Sequence, residues 1–330
     1  MKIFVTAVIV IVSALAVQIA IALGLIVSQR PSHPVAKGNS LDFSRQTATQ
    51  TAEPSQLVEI PTGQGVSQWA RLYPSTAKVA PLVILIHGSG WHGLQFAGLA
   101  KALQPFADVV APDMRGHGPH ALRRGDVDYT TQLEDDIAAL ITAQRKPGQK
   151  VVLAGHSSGG GMVVRFAGGA HRDLADAAVL MAPFLKYNAP TTRPNSGGWA
   201  HPLTRRIIGI SMLNMLGIKT LDYLTAMEFA FPKLVLDGPL GATATRAYSY
   251  RMVAAFAPRA KYLVDIAKLP RFLLIAGSKD EAFVAEAYQP LMSSVTDKGQ
   301  YQLIQSVSHL DIVNAPETAI AITGFLASLK

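Results

Sequence analysis

Val151-Val-Leu-Ala-Gly155-His156-Ser157-Ser158-Gly159-Gly160 reads as a buried strand that breaks sharply into a helix, with a serine at the turn. The glycines two places before and two places after Ser157 leave room where strand and helix backbones crowd together. A serine at such a turn sits in a strained conformation that projects its hydroxyl above the sheet edge. The pentapeptide alone is weak, because Gly and Ser are common in any loop. Its surroundings strengthen it. Four apolar residues precede it, and Gly160-Gly-Met-Val-Val-Arg-Phe-Ala can open a helix packed closely on a sheet. Ser157 is the candidate nucleophile.

A serine hydroxyl is a poor nucleophile at neutral pH and needs a histidine to take its proton and a carboxylate to hold that histidine's tautomer. Among nine histidines, His309 follows the alternating run Tyr301-Gln-Leu-Ile-Gln-Ser-Val-Ser and precedes a last helical segment over 316–329. That is a loop position from which a side chain can reach another strand's end. Arg271-Phe-Leu-Leu-Ile-Ala-Gly277 is a further buried strand, and Asp280 lies where the chain leaves its carboxyl end, the edge on which open α/β sheets build sites. Glu281 is the main rival, although it also suits the first turn of the following helix. Asp311 is too close to His309 in sequence to orient it comfortably.

Pro81-Leu-Val-Ile-Leu-Ile-His87-Gly88-Ser89-Gly90-Trp91 is a strand ending in a glycine-containing loop. Backbone N–H groups there can face a developing oxyanion together with the N–H of Ser158. Ser89 is the expected second donor, with Gly90 the near alternative. His87 and His156 read as structural, the first hydrogen-bonding loop backbone and the second filling space beside the turn.

With these parts in place the chain resembles the α/β-hydrolase superfamily over most of its length after residue 55. Ala111-Pro112-Asp113-Met114-Arg115-Gly116-His117-Gly118 adds to the likeness, being similar to the Asp-x-Arg-Gly-His-Gly segment after the fourth strand of many lipases and esterases. Asp113, Arg115 and His117 are expected to brace the loop. Within the superfamily the chain most resembles lysophospholipase-like and monoacylglycerol-lipase-like serine hydrolases. Those carry Gly-His-Ser-Met-Gly-Gly; Ser158 stands here in place of the Met, which keeps the backbone donor and weakens only the subfamily match. The resemblance implies a mostly parallel sheet flanked by helices, with a helical lid inserted after the sixth core strand. It also implies cleavage of a carboxylic ester, of hydrophobic or lipid-derived acyl type, through an acyl-enzyme. A serine at the turn excludes the related epoxide hydrolases and haloalkane dehalogenases, which use aspartate. An aminopeptidase or amidase, a carbon–carbon hydrolase, and a non-catalytic lipid-binding membrane protein remain open beside it.

The amino-terminal segment is of another kind. Ile3 to Val27 carries no charge, and a helix of that length covers about 37 Å against about 30 Å of hydrocarbon. Secretory signals have shorter apolar regions. Ala14-Leu-Ala16 resembles a cleavage site but lies inside the run, so an uncleaved anchor over 1–28 is favoured over a cleaved signal. Lys2 on a very short amino tail favours an expectation that the remainder lies outside the cytoplasm, against which Arg30, Lys37 and Arg45 on the other side weigh. Residues 29–55, rich in Pro, Ser, Thr and Gln, read as a flexible tether.

The expected core comprises 56–184 and 268–330, with strands near 57–60, 68–73, 82–87, 108–112, 151–154, 177–182, 271–276 and 301–305. Helical patterns near 94–104, 131–144, 158–168, 282–293 and 316–329 alternate with them, which argues a parallel sheet covered on both faces. The alternation breaks over 185–267, the expected lid. Between residues 186 and 268, eleven Lys and Arg face four Asp and Glu, nearly the whole +8 of the chain. Anionic lipid headgroups or negatively charged substrates suit such a surface beside an anchor. Nucleic acid does not, because no aromatic platform or known motif accompanies the charge. There is no cysteine, no phosphate loop, no dinucleotide fingerprint and no metal-spaced His pair, so neither cofactor nor metal is expected.

Overall fold

The apolar runs form the middle of a single large sheet in the computed structural model, which describes residues 1–36, 41–43, 56–61 and 67–329. Six strands come first in the chain: β1 (Leu57–Pro61), β2 (Ser67–Tyr73), β3 (Leu82–Ile86), β4 (Asp108–Asp113), β5 (Val151–His156) and β6 (Ala177–Met181). Three short strands follow and make a sheet of their own: β7 (Ala200–Pro202), β8 (Thr225–Phe229) and β9 (Ala247–Ser249). The strands β10 (Arg271–Gly277) and β11 (Gly299–Ile304) complete the main sheet, whose order is β1-β2-β4-β3-β5-β6-β10-β11. Strand β2 runs against both its neighbours, whereas β4, β3, β5, β6, β10 and β11 are parallel.

Every residue of β3, β5 and β6 is buried. Continuous Val, Leu, Ile and Ala runs supply that burial, because parallel strands covered by helices on both faces have no wet side. Ala97–Leu103 packs beside Pro316–Ala327, while Gln132–Gln144 and Tyr262–Ala267 pack beside Ser158–Gly168. The register aligns Ile86 with Gly155, His156 and Ile275 with Met181, and Gly277 with Ile304. The loops leaving β3, β5, β10 and β11 therefore open on one edge of the sheet.

The segment between β6 and β10 departs from the all-helical lid that was expected. It contains the helices Thr204–Met215, Tyr250–Phe256 and Tyr262–Ala267, and also the antiparallel β7-β8-β9 sheet. Strands of three to five residues are too short to show an alternating pattern. β9 runs directly into the helix Tyr250–Phe256; Ser249 ends the strand and caps the helix by accepting a hydrogen bond from Met252 N at 3.0 Å.

Lys2–Ser28 is one helix, long and apolar enough to cross a membrane. Most of its side chains are exposed, but Ala22 and Ile26 are buried against Ile210 and Leu213 of the insert helix Thr204–Met215. Gly209 permits this approach, since a Cβ there would lie 2.5 Å from the Ala22 carbonyl oxygen. Most of the expected tether over 29–55 lies outside the described residues. The part within Gln29–Ala36 is held by the insert: Ser32 N and His33 N each donate to the buried Glu228 carboxylate at 2.9 Å, and Ala36 N donates to Phe231 O at 3.1 Å.

Candidate active site

Ser157 occupies the turn between β5 and the helix Ser158–Gly168 with φ 54° and ψ −120°. A non-glycine residue in that region is strained by roughly 1–3 kcal/mol and is held there by its surroundings. The flanking glycines explain how. A Cβ on Gly155 would meet the Gly159 oxygen at 2.3 Å, and one on Gly159 would meet the Ile86 oxygen at 2.1 Å. Strand, turn, helix and the end of β3 thus share a space that admits no side chain at either position.

His309 lies in the loop after β11, and its Nδ1 is 2.9 Å from Asp280 Oδ2. The other oxygen of Asp280 accepts from Ala282 N at 2.8 Å and Phe283 N at 2.7 Å. Both residues are nearly fully buried, so the pair is oriented with little freedom. Glu281 acts on backbone instead of the ring, its carboxylate accepting from His309 N at 2.9 Å and from Asp42 N at 3.3 Å. Burial disfavours the charged His309 ring, yet the Asp280 carboxylate, its hydrogen bond and nearby Glu281 outweigh burial and hold its pKa above the usual histidine value. An Nδ1–H donated to a carboxylate leaves Nε2 as the basic nitrogen.

Ser157, His309, Ser89 and Ser158 line one cavity of about 70 Å³, walled by Phe184, Met227, Phe229, Val253 and other apolar residues of the insert and core. No hydrogen bond joins Ser157 Oγ to His309 among the described residues; such bonds are often loose without substrate and tighten when it binds. The Ser158 N–H belongs to the first turn of its helix, where backbone donors lack intrahelical partners. Gly90 is not equivalent to Ser89. Its N–H donates to the Tyr248 hydroxyl at 2.9 Å, which leaves Ser89 as the candidate donor of that loop.

Sequence reading missed Tyr248, which joins the loop that Asp113, Arg115 and His117 were expected to brace. His117 Nδ1 donates to the carbonyl acceptor Arg115 O at 3.0 Å, so its Nε2, 2.6 Å away, accepts from the Tyr248 hydroxyl. Burial lowers the His117 pKa to about 4 and keeps this ring neutral. Arg115 in turn grips both oxygens of Asp136 at 2.7 and 2.6 Å, and Asp113 accepts from Arg71 at 2.7 Å and from Gly93 N at 2.8 Å. The Asp113–Gly118 loop is therefore a brace: it holds Tyr248, and Tyr248 holds the loop carrying Ser89.

The other buried histidines are also locked. His87 Nε2 accepts from Met114 N at 3.0 Å, so Nδ1 donates to Gly88 O at 2.8 Å. His156 Nε2 donates to the His309 carbonyl at 2.9 Å, while its Nδ1 accepts from Gln95 at 3.3 Å. Burial, reinforced by the neighbouring His309, keeps the His156 pKa well below the usual value. His156 is thus more than a filler, since it positions the backbone of His309. Trp199, in the insert, donates its indole N–H to Ser89 Oγ at 3.0 Å. No sequence pattern marks Trp199 or Tyr248: Tyr248 sits on the three-residue strand β9, and Trp199 in the turn just before β7.

No group of side chains suited to holding a metal ion occurs among the described residues. The family model for serine aminopeptidase, S33, matches residues 77–314. The chain is similar to a probable protein phosphatase methylesterase 1 of Caenorhabditis elegans, with 36% identity over 87 residues that make up 26% of this chain and 24% of that protein. It thus spans about a quarter of the length of the curated relatives it matches. Among solved structures, it is similar to a soluble variant of monoglyceride lipase from Saccharomyces cerevisiae, with a TM-score of 0.62 and 15% identity over 84% of this chain and 96% of that one. A membrane phospholipase A, described as a novel bacterial virulence factor, matches with a TM-score of 0.55 and 18% identity over 100% of this chain and 99% of that one. These structural likenesses establish a common fold.

Proposed function

This chain belongs to the serine aminopeptidase S33 family of α/β hydrolases, and from that premise we propose that it is a membrane-anchored hydrolase of hydrophobic carboxylic esters. Ser157 Oγ attacks the acyl carbon while His309 Nε2 takes its proton, and Asp280 holds the resulting imidazolium. The N–H groups of Ser89 and Ser158 stabilise the negative oxygen of the tetrahedral intermediate. His309 then gives the proton to the departing alcohol, leaving an acyl-enzyme on Ser157. Water, deprotonated by His309, attacks that ester; the carboxylic acid leaves and Ser157 regains its proton.

The observation that carries this reading is the apolar cavity onto which Ser157, His309, Ser89 and Ser158 all open. It also favours esters over peptides. An aminopeptidase must recognise an α-ammonium group, and no Asp or Glu lines that cavity among the described residues. The helix Lys2–Ser28 serves as the anchor, and the catalytic part lies outside the cytoplasm. In this proposal the anchor, packed on the insert through Ala22 and Ile26, keeps that basic segment near the headgroups, and its excess Lys and Arg favour anionic lipid. A membrane-derived acyl ester is the substrate class that such a placement serves. Ser157→Ala in the full-length protein is the test: it should abolish turnover of a p-nitrophenyl ester, and undiminished turnover overturns the proposal.

A further inference from the structure

A second cavity, of about 20 Å³, touches the same catalytic groups from another side. Ser89, Ser157, Trp199 and His309 are common to both cavities. Leu41, Phe43, Trp91, Gln95 and Leu310 line the smaller one. An ester carbon held at Ser157 has two substituents, the acyl chain and the alcohol, and they must leave it in different directions. Two cavities meeting at one nucleophile match that requirement. A space of about 20 Å³ is little more than the roughly 10–15 Å³ that a single water needs, so one of the two arms is severely limited in size.

Two of its walls, Leu41 and Phe43, come from the segment following the amino-terminal helix. Phe43 is 6% exposed, and its ring lies 5.5 Å from Phe231, 5.6 Å from Trp199 and 6.2 Å from Trp91. Contacts of this kind fix a ring firmly, since aromatic pairs at 4.5–7 Å attract beyond simple burial. The backbone beside it is fixed as well. Asp42 N donates to Glu281, whose other oxygen accepts from His309 N, so one carboxylate ties the Phe43 segment to the catalytic loop. Further back, the buried Glu228 carboxylate of β8 holds Ser32 and His33.

We infer that Phe43 is a specificity-determining residue, setting the size of the smaller arm of the ester accepted at Ser157. The inference rests on the ester-hydrolase reading above and adds to it that the amino-terminal segment forms part of the active-site wall. Phe43→Ala removes the ring from the small cavity, and Phe43→Leu removes part of it while keeping an apolar contact.

The experiment uses the full-length protein in detergent micelles with two ester series. One lengthens the acyl group at constant p-nitrophenol; the other enlarges the alcohol at constant acyl group. In one series only, Phe43→Ala should raise kcat/KM for the larger members relative to the smallest by about tenfold or more for each methylene newly admitted. Phe43→Leu should move the same series by less. Unchanged size profiles in both variants, or equal changes in both series, overturn the inference. Should Phe43→Ala fail to fold, the Leu variant carries the same comparison alone. Fluorophosphonate labelling of Ser157 in the unsubstituted protein separates the two levels. Labelling with unmoved profiles rejects the role of Phe43 alone, whereas absent labelling and turnover reject the hydrolase reading beneath it.

Discussion

Asp280→Asn tests the wiring of the site without disturbing its shape. In the native structure one carboxylate oxygen accepts two backbone N–H groups, from Ala282 and Phe283, and the other faces His309 Nδ1 at 2.9 Å. An asparagine amide has one acceptor end and one donor end. Two fixed N–H groups select the oxygen for their side, so the NH₂ group turns toward His309. The ring must then present a bare Nδ1 and carry its proton on Nε2, the tautomer unable to act as base. Loss of the correct tautomer with geometry intact costs about 10⁴ in kcat, or roughly 5.5 kcal/mol of barrier. A pH profile of kcat/KM with a soluble p-nitrophenyl ester provides the second readout. In the proposed mechanism the base works when neutral, so activity of the unsubstituted protein should decline as pH falls through the raised His309 pKa. Removing the Asp280 charge leaves burial as the dominant influence, and the acid limb of the variant moves to lower pH. A loss smaller than tenfold, or an acid limb that stays in place, refutes the assignment of Asp280.

Tyr248→Phe should lower kcat by about tenfold with KM nearly unchanged, because Gly90 N–H and His117 Nε2 lose their partner and the Ser89 loop loosens; an unchanged kcat removes Tyr248 from the positioning of that loop. Membrane orientation can be read with Leu122→Cys, since Leu122 is 93% exposed and the chain has no cysteine of its own. An impermeant maleimide should label it on intact cells, and labelling only after lysis places the catalytic part in the cytoplasm instead.

The parallel sheet was legible in the sequence because its strands are buried on both faces. Runs such as Leu82–Ile86 and Val151–Ala154 have no polar interruption and a turn signal at each end. The turn at Ser157 was legible because its packing tolerates only glycine at 155 and 159, a constraint that writes itself directly into residue type. Pairing of Asp280 with His309 followed from loop position alone, but the choice between Asp280 and Glu281 needed coordinates. Adjacent carboxylates point to different sides of the loop, and sequence carries no record of which one finds the ring. The insert was the least legible part. β7, β8 and β9 are stabilised by contacts between distant stretches of chain rather than by local periodicity. Tyr248 on β9 and Trp199 in the turn before β7 went unnoticed, as did Phe43, an aromatic residue inside a stretch whose composition reads as linker.

In the proposed mechanism Ser157 supplies the oxygen of a covalent intermediate. The most direct measurement treats the full-length protein with a fluorophosphonate, digests it and locates the adduct by mass spectrometry. A single phosphonylated peptide containing Ser157, abolished by Ser157→Ala, is the predicted result. An unmodified Ser157 in a preparation that continues to hydrolyse esters contradicts the account.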